Sequence, residues 1–322
     1  MRMTLPAAVL LSPLAALAAD PLPSWTEGPA KTAILDFTAA ATDEGSSGFV
    51  PEAERVAVFD NDGTLWSEQP VYFQFLFAMD RAMALAEAEP GWATTPALEA
   101  AAAGDVAGVL EGGTEALLEV VGATHSGMTV EAFTAEVEAW LAEARHPETG
   151  RAYTAMVFQP MLELLDHLRD SGFETYIVSG GGVDFMRAFA GEVYGVPPEN
   201  VIGSMADLRF EIVDGVPQVI KQPGMFFVDD KETKPVAIAR KIGRRPVFVA
   251  GNSDGDHAMA QWTMAGDGPR FALLVHHTDA EREWAYDRES HVGRLDAALD
   301  EAREKGWTVV DMAGDWARVW PE

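Results

Sequence analysis

Short apolar runs alternate with helical patterns along most of this 322-residue chain. Near-continuous apolar runs are typical of strands buried on both faces, and strand–helix alternation is typical of a parallel sheet covered by helices. The clearest strand-like runs are Val56–Phe59, Glu174–Val178, Pro246–Ala250, Phe271–Val275 and Trp307–Val310. The helical patterns between them, each followed by a glycine, are Met161–Arg169, Val183–Tyr194 and Pro235–Ile242. The sequence therefore predicts an α/β fold with a Rossmann-like, doubly wound parallel sheet as its core.

The segment 67–155 is different, because it is rich in Ala, Glu, Leu and Met and has few β-branched runs. Its helical patterns are Val71–Ala88, Pro96–Ala102, Thr114–Val121 and Val130–Ala144. Because this segment separates the first strand from the next strand–helix unit, we predict an inserted α-helical cap, with 20–66 and 156–322 forming the core. A small β-hairpin insertion is predicted at 207–227, where alternating apolar residues lead into an Asp-Gly turn.

The first 19 residues have the pattern of a secretory signal peptide. Arg2 precedes an apolar stretch rich in Ala and Leu, and small residues follow. We expect cleavage near Ala18-Ala19 and a periplasmic or secreted mature protein. The apolar stretch is shorter than the roughly 20 residues needed to span a bilayer, so we expect no membrane insertion after cleavage. The sequence indicates no particular oligomeric state.

Composition excludes several classes of function. Cysteine is absent, which excludes thiolate catalysis, zinc–cysteine sites and iron–sulfur clusters. The chain carries 23 Lys and Arg against 51 Asp and Glu, which gives a formal net charge of -28. A surface this acidic repels phosphate backbones and anionic lipid headgroups, so we expect no nucleic-acid partner. An anionic small-molecule substrate would need a local positive site.

Two carboxylates, Asp60 and Asp62, follow the first strand-like run, and Gly63 then allows a sharp turn. In an extended segment, side chains two positions apart point the same way, so both carboxylates face one space. Like charges this close repel unless a cation or shared proton intervenes, which indicates a divalent metal with oxygen ligands. A calcium-binding loop does not fit, because its glycine would stand sixth and its glutamate twelfth.

Two other strand-like runs end in polar, glycine-containing turns. One turn holds Ser179, Gly180 and Gly181, and the other is Gly251–Asp256. Ligands of open parallel sheets bind where the strands end, so these turns are expected to meet the Asp60 turn. A hydroxyl and glycine amides at a helix start can hold a phosphate, and Lys234 heads the helix before the third run.

These residues resemble the motifs of the haloacid dehalogenase superfamily, in its phosphatase branch. The resemblance covers Arg55 to Trp262, and the helical insertion is similar to the cap of the phosphoserine and phosphorylcholine phosphatase group. The four motifs occur in the expected order: Asp60-Asn61-Asp62-Gly63-Thr64, Ser179, Lys234 and Gly251-Asn252-Ser253-Asp254-Gly255-Asp256.

The resemblance implies a Mg²⁺-dependent mechanism with an aspartyl-phosphate on Asp60. Asp62 would protonate the leaving alcohol and then activate water, and its backbone carbonyl would bind the metal. Dehalogenases of the superfamily lack this second carboxylate. Ser179 would donate a hydrogen bond to the phosphoryl group, and Lys234 would neutralise charge. Lys231 is the alternative lysine; Lys234 is preferred because it starts the helical pattern.

The fourth motif departs from the family pattern. Family phosphatases commonly carry Asp where this chain has Asn252, followed by an Asp that matches Asp256. An amide still offers a ligand oxygen, but it contributes no charge. Asp254 is a candidate for the missing carboxylate. The predicted metal ligands are therefore Asp60 and Asp62 with Asn252, Asp254 and Asp256, and the sequence leaves open which of the last three touch the ion.

Trp66 and Glu68 follow the nucleophile turn directly, which places them near a substrate's leaving group. They are predicted to bind substrate together with Gly180 and Gly181. An aromatic ring beside an acid can also hold a quaternary ammonium. The pair His276-His277 is a candidate for the rim of the site, although ordinary surface or capping roles are favoured.

The sequence thus predicts an exported, Mg²⁺-dependent phosphomonoesterase that acts on a small phosphate ester. A phosphotransferase using the same intermediate is one alternative, and product analysis with added acceptor alcohols separates the two. A non-catalytic exported phosphate-ligand-binding protein is the other. Asn252 favours a binding protein, whereas the presence of Asp60, Asp62, Ser179 and Lys234 together argues against it. The cap carries no motif that identifies the substrate.

Overall fold

The computed structural model describes residues 19–322, so the predicted signal peptide lies outside the described residues except for Ala19. The strands are β1 Val56–Phe59, β2 Glu174–Gly182, β3 Val201–Val213, β4 Val216–Phe227, β5 Phe248–Gly251, β6 Phe271–Thr278, β7 Ala285–Tyr286 and β8 Thr308–Asp311. The helices are α1 Pro29–Thr42, α2 Phe73–Ala88, α3 Pro96–Ala102, α4 Val106–Glu111, α5 Gly113–Thr124, α6 Val130–Glu143, α7 Gln159–Asp170, α8 Val183–Arg187, α9 Ala190–Tyr194, α10 Thr233–Lys241, α11 His257–Met264, α12 Ala297–Lys305 and α13 Met312–Asp315. Of the helices in this part of the chain, none has the length and apolarity needed to cross a membrane.

All eight strands belong to one mixed sheet. Its order is β4-β3-β2-β1-β5-β6-β7, and β8 lies beside β6. The pairs that involve β1, β2, β5 and β8 are parallel, and only β3–β4 and β6–β7 are antiparallel among the described strands. The predicted α/β fold with a doubly wound parallel core is confirmed.

The register of the central strands sets the position of the site. Phe59, the last residue of β1, lies opposite Ile177 of β2 and Ala250 of β5. The Asp60 amide then donates to the Ala250 carbonyl at 2.9 Å, so pairing continues one residue past the strand. The turns that follow β1, β2 and β5 therefore leave the sheet at one level, as expected for a ligand site at the carboxyl ends of parallel strands.

The core lies on both faces of the sheet because alternate strand residues point to opposite sides. Ala57 and Phe59 face an apolar cluster shared with α1 and α7, while Val56 and Val58 face a second cluster shared with α10, α11 and α12. All four β1 residues are fully buried. This explains why β1 reads as a continuous apolar run, and it fixes the backbone from which Asp60 projects.

Helices α2 to α6 lie between β1 and β2 in the chain. Residues of α2 to α5 form an apolar cluster of their own, which includes Phe75, Met79 and Val120. In contrast, α6 packs through Phe133 and Val137 against the cluster of the core. The insertion is thus helical, as predicted. Its boundaries at 67 and 155 remain a prediction.

Three local differences separate prediction and structure. The predicted helix Val183–Tyr194 is two short helices, because Phe189 between them leaves helical geometry and its ring stacks on Trp66 at 4.6 Å. The hairpin is longer than predicted, since β3 first pairs with β2 and only then extends outward with β4. Its Asp214-Gly215 turn is as predicted, with φ values of 51° and 80°. Helices α1, α4, α11, α12 and α13 have no counterpart among the predicted helical patterns.

Candidate active site

The turn after β1 is held by its own backbone. The Asn61 carbonyl accepts hydrogen bonds from the amides of Thr64, Leu65 and Trp66 at 2.8–3.3 Å. Gly63 has φ of 71°, and a Cβ there would lie 2.0 Å from the Asn252 Nδ2 atom. Glycine is therefore required twice, by the left-handed backbone and by the contact with the fourth motif.

The Asp60 carboxylate and Lys234 form a buried ion pair. Lys234 lies in the first turn of α10 and its Nζ is 2.8 Å from Asp60 Oδ1. The same Nζ is 2.6 Å from Asp256 Oδ1, so one ammonium bridges two carboxylates. All three side chains are buried. The first, third and fourth predicted motifs thus meet in one place.

The charges in this group are not balanced. Burial and the nearby Asp256 raise the pKa of Asp60 to about 8, although Lys234 acts in the opposite direction. Burial lowers the pKa of Lys234, but Asp256 and Asp60 outweigh it, and the net shift is upward. Lys234 is therefore a permanent cation. Within residues 19–322, it is the one cation bonded to this group of acids.

The fourth motif divides its two aspartates between different tasks. Asp256 Oδ2 accepts hydrogen bonds from the amides of Asn252 and Ser253 at 2.9 and 3.1 Å, and its Oδ1 holds Lys234. Asp256 therefore shapes the turn and positions the lysine with both carboxylate oxygens engaged, and its predicted contact with a metal ion stays a prediction. Asp254 Oδ1 accepts from the amides of Asp296 and Ala298, which caps α12. The prediction that Asp254 is a metal ligand is corrected by this geometry, because its carboxylate binds the C-terminal segment.

Ser179 and Asp62 face the same small space. Ser179 is buried near the end of β2, and its Oγ accepts a hydrogen bond from the Gly181 amide at 3.1 Å. A Cβ on Gly181 would be 3.4 Å from Ser179 Oγ and 3.6 Å from Asp62 Oδ2. The second motif therefore lies beside the first, with the Gly181 backbone between Ser179 Oγ and Asp62 Oδ2. The Gly181 amide is engaged by Ser179, so it is not free to act as the predicted phosphate donor.

Sequence reasoning missed a contact between this turn and the cap. Gln74, in the first turn of α2, accepts from the Gly182 amide at 2.7 Å, and its Nε2 lies 3.2 Å from His125 Nε2. Burial, with Lys221 nearby, lowers the pKa of His125 well below its usual range, so the ring is neutral. A signal was present, because Gln74 is the one amide in the apolar run from Val71 to Met79.

Trp66 does not have the predicted substrate contact. Its side chain is fully buried, one ring face stacks on Phe189 at 4.6 Å, and Phe73 packs edge-on at 4.9 Å. No open ring face remains for a quaternary ammonium. Instead, Trp66 Nε1 donates to Asp62 Oδ1 at 2.7 Å. Burial raises the pKa of Asp62, and the bond from Trp66 opposes that rise. Trp66 therefore orients and tunes Asp62.

Replacing Trp66 with Phe is expected to lower kcat by tenfold to a hundredfold. The substitution keeps a ring against Phe189 but removes a hydrogen bond to a carboxylate, which contributes about 1.5–3 kcal/mol. The apparent pKa that Asp62 contributes to the pH–rate profile should rise, because the hydrogen bond from Trp66 lowers the pKa of Asp62. A pH–rate profile measures both effects. Trp140→Phe is the matched control, because Trp140 Nε1 donates to Asp80 in the cap; equal losses in the two variants would contradict this role.

Glu68 is also buried and is not placed to contact a substrate directly. Its Oε1 accepts from Asn252 Nδ2 at 2.6 Å and from the Tyr286 hydroxyl at 2.8 Å. The other side of the Asn252 amide is held by Thr64, whose Oγ1 donates to Asn252 Oδ1 at 3.1 Å. The predicted substrate contact of Glu68 is thus corrected: the acid supports the fourth motif.

Of the two adjacent histidines, His277 lies behind the nucleophile turn. Its Nε2 is 2.7 Å from the Gly63 carbonyl, and its Nδ1 is 3.1 Å from Glu283 Oε2. Glu283 also accepts from Ser67 Oγ at 2.5 Å. His277 and Glu283 together therefore connect β6 to Gly63 and to Ser67, on either side of Trp66. His277 is buried and does not form a rim. His276 is half-buried and lies 3.3 Å from Asp287.

Lys231 does not compete with Lys234 for the site. It is exposed and has φ of 53°, in the turn that precedes α10. Its backbone carbonyl accepts from the Lys234 amide at 3.1 Å. The preference for Lys234 agrees with this placement.

Asp229 is a buried carboxylate beside this turn. Its side chain is fully buried, and neither carboxylate oxygen has a hydrogen-bond partner among residues 19–322. Burial raises the pKa of Asp229 to about 7, while Lys234 lowers it and Asp230 raises it. The folded protein therefore binds a proton here that the unfolded chain, with an aspartate pKa near 4, releases.

Replacing Asp229 with Asn is expected to stabilise the protein more at pH 8 than at pH 4.5. As pH rises from about 4 to about 7, the unfolded carboxyl ionises first, so Asp229 progressively disfavours folding. The difference between variant and parent should grow by up to about 4 kcal/mol across this range, from the shift in pKa. Urea unfolding at the two pH values measures it. An equal difference at both would contradict the role of the charge.

The residues present fit a hard divalent cation. Asp60, the Asp62 carbonyl and Asn252 Oδ1 are all oxygen donors, and the group holds more carboxylates than cations. Across the described chain, no three His, Asp or Glu side chains form a ready ligand set. Two of the oxygens that would hold the ion are therefore an amide oxygen and a backbone carbonyl.

Comparison with families of known proteins gives a match over most of the core. Residues 57–261 match the model of the haloacid dehalogenase-like hydrolase family. This segment begins in β1, ends in α11 and contains all four motifs. No curated protein matches the chain in sequence.

Solved structures show the same fold. A functionally unknown protein from Anaerococcus prevotii DSM 20548 is 16% identical and superposes with a TM-score of 0.54. The superposition covers 87% of this chain and 91% of that chain. A protein of unknown function from Bordetella pertussis Tohama I is also 16% identical, with a TM-score of 0.50. The superposition covers 80% of this chain and 99% of that chain. A phosphoserine phosphohydrolase-like protein from Francisella tularensis is 15% identical, and its superposition covers 69% of this chain and 87% of that chain. Its TM-score of 0.37 is too low to support a conclusion.

Proposed function

Since this chain belongs to the haloacid dehalogenase-like hydrolase family, we propose that it is a Mg²⁺-dependent phosphatase for small phosphate monoesters. The observation that carries this proposal is the placement of two carboxylates with different partners on one turn. Asp60 is paired with Lys234, whereas Asp62 is hydrogen-bonded to Trp66. A nucleophile and a separate acid are what phosphoryl transfer to a carboxylate requires.

In the first half-reaction, an Asp60 oxygen bonds to phosphorus as the bond from phosphorus to the ester oxygen breaks. The leaving alkoxide takes the proton from the Asp62 carboxyl group. This step requires Asp62 to be protonated, which its burial favours, and Asp60 to be ionised, which its ion pair with Lys234 favours. Ser179 donates to a phosphoryl oxygen, and Lys234 opposes the charge that builds on the group in transfer.

In the second half-reaction, the ionised Asp62 accepts a proton from water, and the water oxygen bonds to phosphorus. The bond to Asp60 breaks, inorganic phosphate leaves and both carboxyl groups return to their starting states. Lys234 remains charged throughout, because Asp256 raises its pKa and stays paired with it while Asp60 carries the phosphoryl group. A Mg²⁺ ion held by Asp60, the Asp62 carbonyl and Asn252 would supply positive charge to the phosphoryl oxygens.

The proposal is tested with the purified protein and p-nitrophenyl phosphate, with Mg²⁺, without it and with a chelator. We expect hydrolysis that requires Mg²⁺ and stops with the chelator. A panel of phosphoserine, phosphocholine, nucleotides and sugar phosphates then identifies the preferred ester. Binding of these esters without release of phosphate from any of them would overturn the proposal in favour of a binding protein.

We also propose that the enzyme is exported, from the signal-peptide pattern of its first 19 residues. Sequencing of the mature N-terminus in the producing cell tests this. A start near Asp20 supports export, and retention of Met1 in cytoplasmic material contradicts it.

A further inference from the structure

The outer part of the β3–β4 hairpin carries most of the exposed apolar side chains of residues 19–322. Nine of the twelve large apolar side chains that are well exposed in this part of the chain lie between Met205 and Val228. Leu208 is 52% exposed, Phe210 is 65% exposed and Ile212 is 66% exposed. A concentration of exposed apolar side chains on one element is typical of an interaction surface. The hairpin is therefore a candidate for contact with another protein chain.

Along β3, three of these apolar side chains alternate with two charged ones. Leu208, Phe210 and Ile212 point to one face of the hairpin, because alternate residues of a strand share a face. Arg209 and Glu211 point to the other face, where they form an ion pair within the chain. This part of β3 thus presents an apolar row on one face and one charge of each sign on the other.

The edge of β3 along the same stretch is open. The strand pairs with β2 as far as Ser204, and beyond that residue β4 is its one partner strand in the described chain. Within residues 19–322, no backbone hydrogen bond from outside the hairpin reaches residues 207–213. A strand edge with unpaired amides and carbonyls is a template on which another strand can pair.

The outer edge of β4, in contrast, is blocked. Pro217 has no amide hydrogen to donate. The Lys221 backbone pairs with the cap, since its carbonyl accepts from Gly127 and its amide donates to Met128, both at 2.9 Å. Proline and a covering loop are common ways to close a strand edge, and β3 has no proline in residues 205–213. The open edge of the hairpin is therefore that of β3.

The charges on this edge fit a second copy of the same chain. When two β3 strands pair antiparallel about a two-fold axis at Phe210, residue 209 of each copy lies opposite residue 211 of the other. Arg209 then faces the partner's Glu211 on both sides of the axis, which is a favourable cross-strand pair. On the other face, the two Phe210 rings lie opposite each other, and Leu208 lies opposite the partner's Ile212.

The same charges disfavour the neighbouring registers. An axis at residue 209 would place two arginines opposite each other, and an axis at residue 211 would place two glutamates opposite each other. Like charges directly opposite each other destabilise a strand pair. The sequence of β3 therefore selects the register about Phe210.

We propose that the chain forms a two-fold dimer in which the β3 edges of two copies pair antiparallel about Phe210. Backbone hydrogen bonds then join the two hairpins, and the two apolar rows lie side by side. Each chain has a formal net charge of -28, so two copies repel each other over most of their surfaces. The β3 edge is suited to contact because its two charges are of opposite sign. The dimer is independent of the proposed phosphatase activity.

The mass of the purified protein, measured by sedimentation equilibrium, tests the dimer. We expect twice the mass of one chain. Phe210→Glu removes the aromatic contact and places two acids at the axis, so dimerisation should weaken by at least about 100-fold. Phe226→Glu is the matched control, because Phe226 is 71% exposed in the same hairpin but belongs to β4. This control variant should dimerise as the parent does.

Exchange of charges tests the register. Arg209→Glu alone, or Glu211→Arg alone, places like charges opposite each other on both sides of the axis, so each homodimer should weaken by about tenfold. A mixture of these two variants should form a heterodimer, because the acids of one copy then face the arginines of the other. The double variant should dimerise as the parent does, since both pairs are kept with their direction reversed.

Three results would overturn the inference. A parent that is monomeric even at about 100 μM would leave the hairpin to a partner other than a second copy. A dimer that survives Phe210→Glu, or that Phe226→Glu also dissociates, would place the interface elsewhere. A mixture of the two charge variants without heterodimer would exclude this register. Circular dichroism of every variant separates loss of the dimer from loss of the fold, and a monomeric Phe210→Glu protein with the parent spectrum supports the inference.

Discussion

Asp60→Asn is expected to lower turnover by at least about 10⁴-fold, as removal of a catalytic nucleophile does in other enzymes. An amide has nearly the size of the carboxylate but cannot bond to phosphorus and release it again. Lys234 keeps Asp256 as its partner at 2.6 Å, so its charge is not left unpaired. The fold should therefore remain intact.

The same variant should be as stable as the parent, or more stable, at pH 8. Burial and Asp256 raise the pKa of Asp60, so ionising this carboxyl opposes folding as pH rises through about 8. Initial rates, circular dichroism and urea unfolding together make the measurement. Asp43→Asn is a control, because Asp43 is an exposed acid bonded to the Gly45 amide. An Asp60→Asn enzyme within about tenfold of parental activity would contradict the assigned nucleophile.

Lys234→Met is expected to reduce both activity and stability. The substitution leaves Asp60 and Asp256 buried and without their cation, and the loss of one partner from a buried ion pair destabilises a protein by about 3–5 kcal/mol. The loss should be larger at pH 8 than at pH 5, because burial and Asp256 raise the pKa of Asp60 to about 8, so this carboxyl carries no charge at pH 5. Urea unfolding at the two pH values gives the stability, and p-nitrophenyl phosphate hydrolysis gives the rate.

Lys231→Met is the matched control for that experiment. Lys231 is exposed and lies in the turn before α10, so both the rate and the free energy of unfolding should stay near those of the parent. If the two lysine variants lost activity equally, the ion pair of Lys234 with Asp60 and Asp256 would not explain the loss.

The features predicted best from sequence were those with a local physical cause. A strand buried on both faces is a continuous apolar run, so β1 was predicted with its observed bounds. Parallel pairing then places the residues after β1 and β5 at one edge, which brought Asp60 and the fourth motif together without further information. The Asp214-Gly215 turn followed from the backbone conformation that those residue types adopt.

The features predicted least well depend on contacts between distant parts of the chain. Trp66 and Glu68 follow the nucleophile closely, yet the fold turns both inward, towards Phe189 and Asn252 respectively. Asp254 stands in the fourth motif, but its carboxylate caps α12. Neighbours in sequence gave no sign of these partners, because residues more than 40 positions away supply them.

The break between α8 and α9 has the same origin. The sequence from Val183 to Tyr194 has a helical pattern, and the contact of Phe189 with Trp66 outweighs it. Similarly, His277 was one of two adjacent histidines, and its bond to the Gly63 carbonyl depends on β6 lying behind the turn. Local propensity is a weak guide where tertiary packing competes with it.

The most direct measurement is capture of the phosphoryl group on the protein. The enzyme is mixed with a phosphate ester and Mg²⁺, quenched in acid within one turnover, digested and examined by mass spectrometry. We predict that the peptide containing Asp60 gains the mass of one phosphoryl group, located on Asp60, and that Asp60→Asn gains none. Rapid hydrolysis with no phosphoryl group on Asp60 at any time, or with the group on another residue, would contradict the account.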